Sequence, residues 1–325
     1  MLVILKRILL SPLLRLAWTL GLFYVLLLGL RRVAPAVAHA ANTSLEGAIR
    51  NAVLFTFVLW ASVRVLEGLR LRQIGFRPAA AVPDTLRGIA IGAALLTSVV
   101  GILALLGHYA IVGWEPLLPG TTRGEAFFRV LVILFFAATF EEVLARGILF
   151  RLFEQALGTW LGIAISAGLF ALGHRFNPGA TTQSAIGVGQ AGVLLAAAYV
   201  ATRSLWLPIG LHWAWNFFQG PVWGSEVSGL DARVLAQADI SGPVLLTGGS
   251  FGVEAGLPAI VLGSIISLAF LVIAERRGQI LTPGWMFWFL ERFRRPLPPL
   301  PPGPTVPPPA AVDPPAPGPT SAPPA

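Results

Sequence analysis

Apolar stretches on the scale of a lipid bilayer recur along this chain, and that feature governs what it can fold into. A membrane-spanning helix needs about 20 apolar residues. Eight segments approach or reach that length: 13–30, 48–66, 88–111, 127–149, 157–174, 184–201, 204–219 and 256–274. Of the 325 residues 55% are hydrophobic and 12% charged, where soluble domains carry about 25% charge. Mean hydropathy is +0.76. The pattern predicts an all-α, polytopic integral membrane protein of about eight transmembrane helices, each satisfying its own backbone hydrogen bonds.

Lys and Arg set the expected orientation. Lys6, Arg7 and Arg15 sit at the start of the first segment, and Arg64, Arg70, Arg72, Arg77 and Arg87 crowd the second connection. Arg146 and Arg151 close the fourth segment, Arg203 follows the sixth, and Arg276, Arg277, Arg292, Arg294 and Arg295 follow the eighth. All of these fall on the inner side if the N terminus is cytoplasmic; Arg31 and Arg32 are the exceptions. The 220–255 connection has one arginine against four acids, Glu226, Asp231, Asp239 and Glu254, which suits the outer side. The expectation is a multi-pass protein of a bacterial inner or plasma membrane with both termini cytoplasmic. The net charge of +8 then belongs to topology and to anionic headgroups, not to nucleic acid. The chain has no cysteine, which excludes disulfides, thiolate metal sites and cysteine nucleophiles.

The chain divides into N-terminal membrane helices with their connections (1–120), a membrane core bearing unusual polar residues (121–220), an extracytoplasmic loop (221–255) and a last membrane helix (256–280). The segment LTPGWMFWFLERFRR, 281–295, has dense aromatics followed by arginines and reads as an interfacial helix. From 296 to 325 half the residues are proline, so that stretch reads as a disordered or extended tail. Its second reading is as a ligand for the aromatic groove of a partner domain.

Ionisable groups inside a membrane are costly and mark function by default. Of the 15 acids, Glu141 and Glu142 alone fall well inside an apolar segment, FFRVLVILFFAATFEEVLARGILF. Of the four histidines, His174 and His212 lie in or at the end of segments, while His39 sits in a loop and His108 near a segment end. Neighbouring helical residues point about 100° apart, so the two acids face different ways. Glu142 and Arg146 are spaced i,i+4 and can pair. Glu141 then has no local partner and is free for chemistry. Phe170 with His174, and His212 with Asn216, repeat the i,i+4 spacing. An unpaired imidazole or amide in hydrocarbon costs a few kcal/mol, so the economical arrangement gathers Glu141, His174, His212 and Asn216 around one wet cavity. There a carboxylate and an imidazole can deprotonate water. An imidazole and an amide can donate to a developing oxyanion.

These residues, in this order, resemble the CPBP family, the CAAX-protease and bacteriocin-processing intramembrane glutamic endopeptidases related to type II CAAX prenyl endopeptidases. The EExxxR motif is Glu141, Glu142 and Arg146, FxxxH is Phe170 and His174, and HxxxN is His212 and Asn216. The lead-in ATRSLWLPIGLHWAWNF, 201–217, is also similar. The resemblance covers about 127–219. It implies an eight-helix membrane fold and peptide-bond hydrolysis with no metal or other cofactor. It implies that Glu141 and His174 activate water and that His212 and Asn216 form the oxyanion hole. Glu142, Arg146 and Phe170 are supporting residues. The implied substrate is a membrane-associated protein or peptide, prenylated or leader-bearing.

Three other readings stand beside this one. A catalytically silent scaffold or bacteriocin self-immunity protein would keep the motifs without turnover. A zinc-dependent protease would use two histidines and a glutamate as ligands, although no compact HExxH motif is present. A proton-coupled transporter would use Glu and His as a relay, although the polar pattern does not repeat between the two halves. One tension accompanies the favoured reading. With a helix ending at 149, Glu141 stands two turns from the inner end while His174 ends the next helix on the outer side, so the two fall at different depths.

Overall fold

The computed structural model describes residues 11–34, 44–117 and 119–281. His39, the tail over 296–325 and all but the first residue of the expected interfacial helix over 281–295 lie outside the described residues. A helix stands at each of the eight expected positions. These are α1 (Pro12–Val33), α2 (Leu45–Leu66) and α3 (Pro78–Leu105), then a continuous run of α4 (Arg123–Glu142), a π-helix (Val143–Phe150) and α5 (Arg151–Leu157), then α6 (Thr159–Gly173), α7 (Thr182–Thr202), α8 (Trp206–Phe217) and α9 (Leu257–Arg276).

Among the described residues, five helical stretches are long and apolar enough to cross a membrane: α1, α2, α3 with its leading turn, α7 and α9. The other three positions are those that carry the polar residues. The 123–157 run is broken up by charge. Helices α6 and α8 have 15 and 12 residues, a rise of about 22 and 18 Å against about 30 Å of hydrocarbon.

The all-α expectation needs one amendment. The third apolar segment, 88–111, is helical only to Leu105. Gly107, at φ 77, turns the chain out of the helix, and β1 (Tyr109–Trp114) pairs antiparallel with β2 (Ala236–Ile240). The partner strand lies far along the chain, so no local pattern announces it. At the other end α3 starts ten residues before the expected span, with Pro78 in its first turn, where a missing N–H costs nothing.

Helix α7 is the centre of the bundle: 12 of its 21 residues are buried, and α6 and α9 pack on it. Small residues at Gly187, Gly192 and Ala196 to Ala198 allow that close approach. Helix α8 is drawn against α3 by glycines on both. A Cβ at Gly88 would collide with the Leu207 carbonyl, and one at Gly210 with the Thr85 carbonyl.

One end of the bundle is closed by buried ion pairs. Glu67 takes two hydrogen bonds from Arg151, at 2.6 and 2.7 Å, and pairs with Arg15 at 2.8 Å. Arg203 donates to Glu154 at 2.9 Å and to the Gln279 carbonyl at 2.6 Å. Arg151 and Arg203, read from sequence as orientation markers, are therefore also buried structural partners. The β ribbon and the 218–256 connection occupy the opposite end.

Candidate active site

The site is built on the helical hairpin 123–173. Helix α4 starts with a reciprocal cap in which Thr122 and Glu125 bond each other's backbone N–H. The helical run continues to Leu157, and Gly158, at φ 89, turns it into α6. Glu141 stands seventeen residues before Gly158 and His174 sixteen after it. Antiparallel packing therefore brings the two level. The mismatch in depth expected from sequence came from ending the helix eight residues too early, at 149. The π-helix begins directly after Glu142; such segments recur at functional sites.

His174 caps its own helix. Its Nδ1 lies 2.9 Å from the Phe170 carbonyl, one of the four carbonyls a helix C-terminus leaves without a partner. A carbonyl can only accept, so Nδ1 carries the hydrogen and Nε2 is the free nitrogen. That nitrogen is 3.7 Å from Oε2 of Glu141. His212 reaches the same oxygen from α8, with Nε2 at 3.8 Å. Its Nδ1 donates to Oε1 of Glu142 at 2.9 Å. Both rings thus have Nδ1 engaged and Nε2 aimed at Glu141. Oε2 of Glu141 has no protein hydrogen-bond partner among the described residues.

Glu142 is fully buried and does two things. It accepts from Arg146 at 2.7 Å, as the spacing predicts, and it also orients His212, which spacing does not reveal. Arg146 donates its second nitrogen to the Gly192 carbonyl of α7 at 3.0 Å and lies over the Phe170 ring at 4.7 Å. Phe170 in turn touches both histidines, with ring centroids 4.8 Å from His174 and 6.0 Å from His212. The chain Arg146–Glu142–His212, with Phe170 wedged against it, holds one imidazole from two sides.

Asn216, one turn beyond His212, lines a small cavity of about 40 Å³, mostly apolar in its walls, into which His174, His212, Ser228 and Glu254 also face. That volume holds about three or four waters at about 10–15 Å³ each. On the other side of His174 lies a larger groove of about 560 Å³. Its walls are mostly apolar, with Val130, Ile133, Ala137 and Leu169 among them, and Glu141 stands in it. All seven residues singled out from sequence, Glu141, Glu142, Arg146, Phe170, His174, His212 and Asn216, gather at the junction of these two spaces. His108 lies elsewhere, beside the β ribbon, where its carbonyl accepts from Ser241 at 3.2 Å. Sequence reasoning missed Ser228 and Glu254, because an acid in an outer connection reads as a solvated charge. Among the described residues no group of three or more His, Asp or Glu is arranged to hold a metal ion.

Residues 123–218 match the model of a family described as Type II CAAX prenyl endopeptidase Rce1-like. The matched segment is less than a third of the chain, contains all seven residues, and corresponds to the group that the three motifs resemble. That family is a protease family. No curated protein matches this chain.

Proposed function

We propose that this protein is a metal-independent intramembrane endopeptidase that cleaves a membrane-associated protein or peptide by general-base attack of water. One observation carries the reading: Oε2 of Glu141 and Nε2 of His174 and His212 converge, 3.7 and 3.8 Å apart, with both Nδ1 atoms already committed. Those separations are too long for direct hydrogen bonds and suit a bridging water. Two acceptors, Oε2 of Glu141 and Nε2 of His174, face a donor at Nε2 of His212, and a water between them meets all three with its two protons and its oxygen.

In this mechanism Glu141 takes a proton as the water oxygen attacks the scissile carbonyl. His174 receives that proton and delivers it to the departing amide nitrogen as the C–N bond breaks. Asn216 and Nε2 of His212 donate to the oxyanion. For Nε2 of His212 to donate while Nδ1 bonds Glu142, the ring must carry both protons. The charges permit it: two carboxylates and one guanidinium leave one negative charge for an imidazolium to balance. Glu142 and Arg146 hold that ring in place.

The apolar groove beside Glu141 suits a lipid-soluble or membrane-embedded substrate. The matched family name points to a prenylated chain ending in a CAAX motif. Eight spans with both termini cytoplasmic would put the His174 end of the site on the outer side. The test is a comparison of protein termini in membranes of cells carrying the wild type or Glu141→Ala, at matched expression and folding. Termini that appear with the wild type alone, and persist with a chelator present, support the reading. Identical termini in both overturn it; loss with chelator moves the chemistry to a metal.

A further inference from the structure

Among the described residues Glu254 forms no salt bridge with a lysine or arginine. It sits in a short helical turn, Val253–Ala255, just before α9. It accepts a hydrogen bond from the Ser228 hydroxyl at 2.7 Å. The elements packed against that turn, α7, α9 and the turns over 244–251, bring no charged side chain near it. The chain is built to hold it there. A Cβ at Gly187 of α7 would lie 2.7 Å from the Glu254 carbonyl, so only glycine admits this approach. Ser228 has φ 51, a left-handed conformation that strains a non-glycine residue. It is held by Asn177, whose amide donates to the Ser228 carbonyl at 2.9 Å. Asn177 belongs to the turn that follows His174. Glu254, Ser228 and His174 are thereby tied together, and Glu254 lines the small cavity with His174, His212 and Asn216.

We propose that Glu254 is a positioning residue of the hydrolytic site, the counter-charge that lets His174 carry a proton during turnover. This rests on the protease reading above. With His212 charged, Glu141, Glu142, Arg146 and His212 sum to zero. When Glu141 passes the water proton to His174, an imidazolium forms next to the apolar groove, where charge is poorly solvated, while the matching negative charge develops on the oxyanion at Asn216 and His212. Glu254 lines the same small cavity as His174. The proton itself goes from water to Glu141, to His174, to the leaving nitrogen. Glu254 supplies charge and exchanges no atom. Burial pushes the Glu254 carboxyl above the usual carboxylate range, against the weaker downward pull of the Ser228 hydroxyl and the two histidines.

The chain has four histidines, which makes their ring signals tractable by NMR. The experiment uses full-length, ¹⁵N-histidine-labelled protein in lipid nanodiscs, with His174→Gln and His212→Gln for assignment. Ring protonation is followed from pH 5 to 9 in wild type, Glu254→Gln, Glu254→Ser and Glu254→Asp. Removing a nearby negative charge disfavours a charged imidazole. The expected result is therefore a protonation midpoint lower by about half a pH unit or more at one or both site histidines in Gln and Ser, near the wild-type value in Asp, with His108 unmoved. Midpoints unchanged in Gln and Ser, or moved equally in Asp, overturn the proposal. Cleavage is a separate readout. If wild type and Glu141→Ala yield the same termini, the protease reading fails and the turnover role falls with it. If the wild type cleaves and Glu254→Gln retains full kcat, this inference alone fails. The supported outcome is kcat down about tenfold, with KM within about twofold and recovery in Asp.

Discussion

Two adjacent glutamates in an apolar helix carry different duties, and the difference is local. Glu141 is a quarter exposed, at 25%, while Glu142 has 0% exposure and two partners. Glu141→Ala should therefore leave the protein folded and lower cleavage by about 10²–10⁴-fold, the usual worth of a general base; thermal melting and turnover measured side by side check it. Glu142→Ala strands a buried guanidinium and frees His212. Breaking such a pair costs about 3–5 kcal/mol, so this variant should lose both melting temperature and activity. Asn216→Ala should lower kcat by about 10²–10³-fold with little effect on melting; an unchanged kcat would remove it from the oxyanion hole. The i,i+4 spacings were enough to pair Glu142 with Arg146 and to leave Glu141 free. They could not tell that Glu142 also grips His212, since that contact joins residues 70 apart in sequence.

At the scale of the helix, the site depends on where elements end and how closely they cross. Glycine does both. Gly158 turns the hairpin, and Gly88 with Gly210 lets α8 lie on α3 so that His212 reaches Glu141. Gly210→Ala should force those helices apart at a cost of about 1–3 kcal/mol, typical of overpacking. It should also lower kcat by moving His212; retained melting temperature and activity would sink that account. Helix existence was legible throughout because the apolar runs are long. Helix ends were not. The fourth run passes its expected end by eight residues because Arg151, which reads as a cytoplasmic marker, and Glu154 are buried in ion pairs with Glu67 and Arg203. The 88–111 segment ends as a strand because its partner is 236–240.

For the molecule as a whole, the ion-pair layer and the β ribbon mark opposite ends, with the site between them. Glu154→Ala leaves Arg203 buried without its carboxylate and should cost about 3–5 kcal/mol, read as a lower melting temperature while Glu141 chemistry persists in the folded fraction. Because the chain lacks cysteine, single cysteines report topology directly. Asp239→Cys, on β2, should react with an impermeant thiol reagent from outside intact cells, and Arg70→Cys only after the membrane is opened; the reverse pattern would invert the proposed orientation. By itself the sequence determined the membrane class, the position of eight helices and the six polar residues that, with Phe170, gather at the candidate site, because each of these depends on local hydropathy or on spacing along one helix. Only the tertiary structure decided that Glu141 and His174 stand level, that both histidines turn the same nitrogen toward one carboxylate oxygen, and that Ser228 and Glu254 from the 218–256 connection join them. Those facts depend on where helices end and on contacts between distant segments, for which a linear pattern carries no signal.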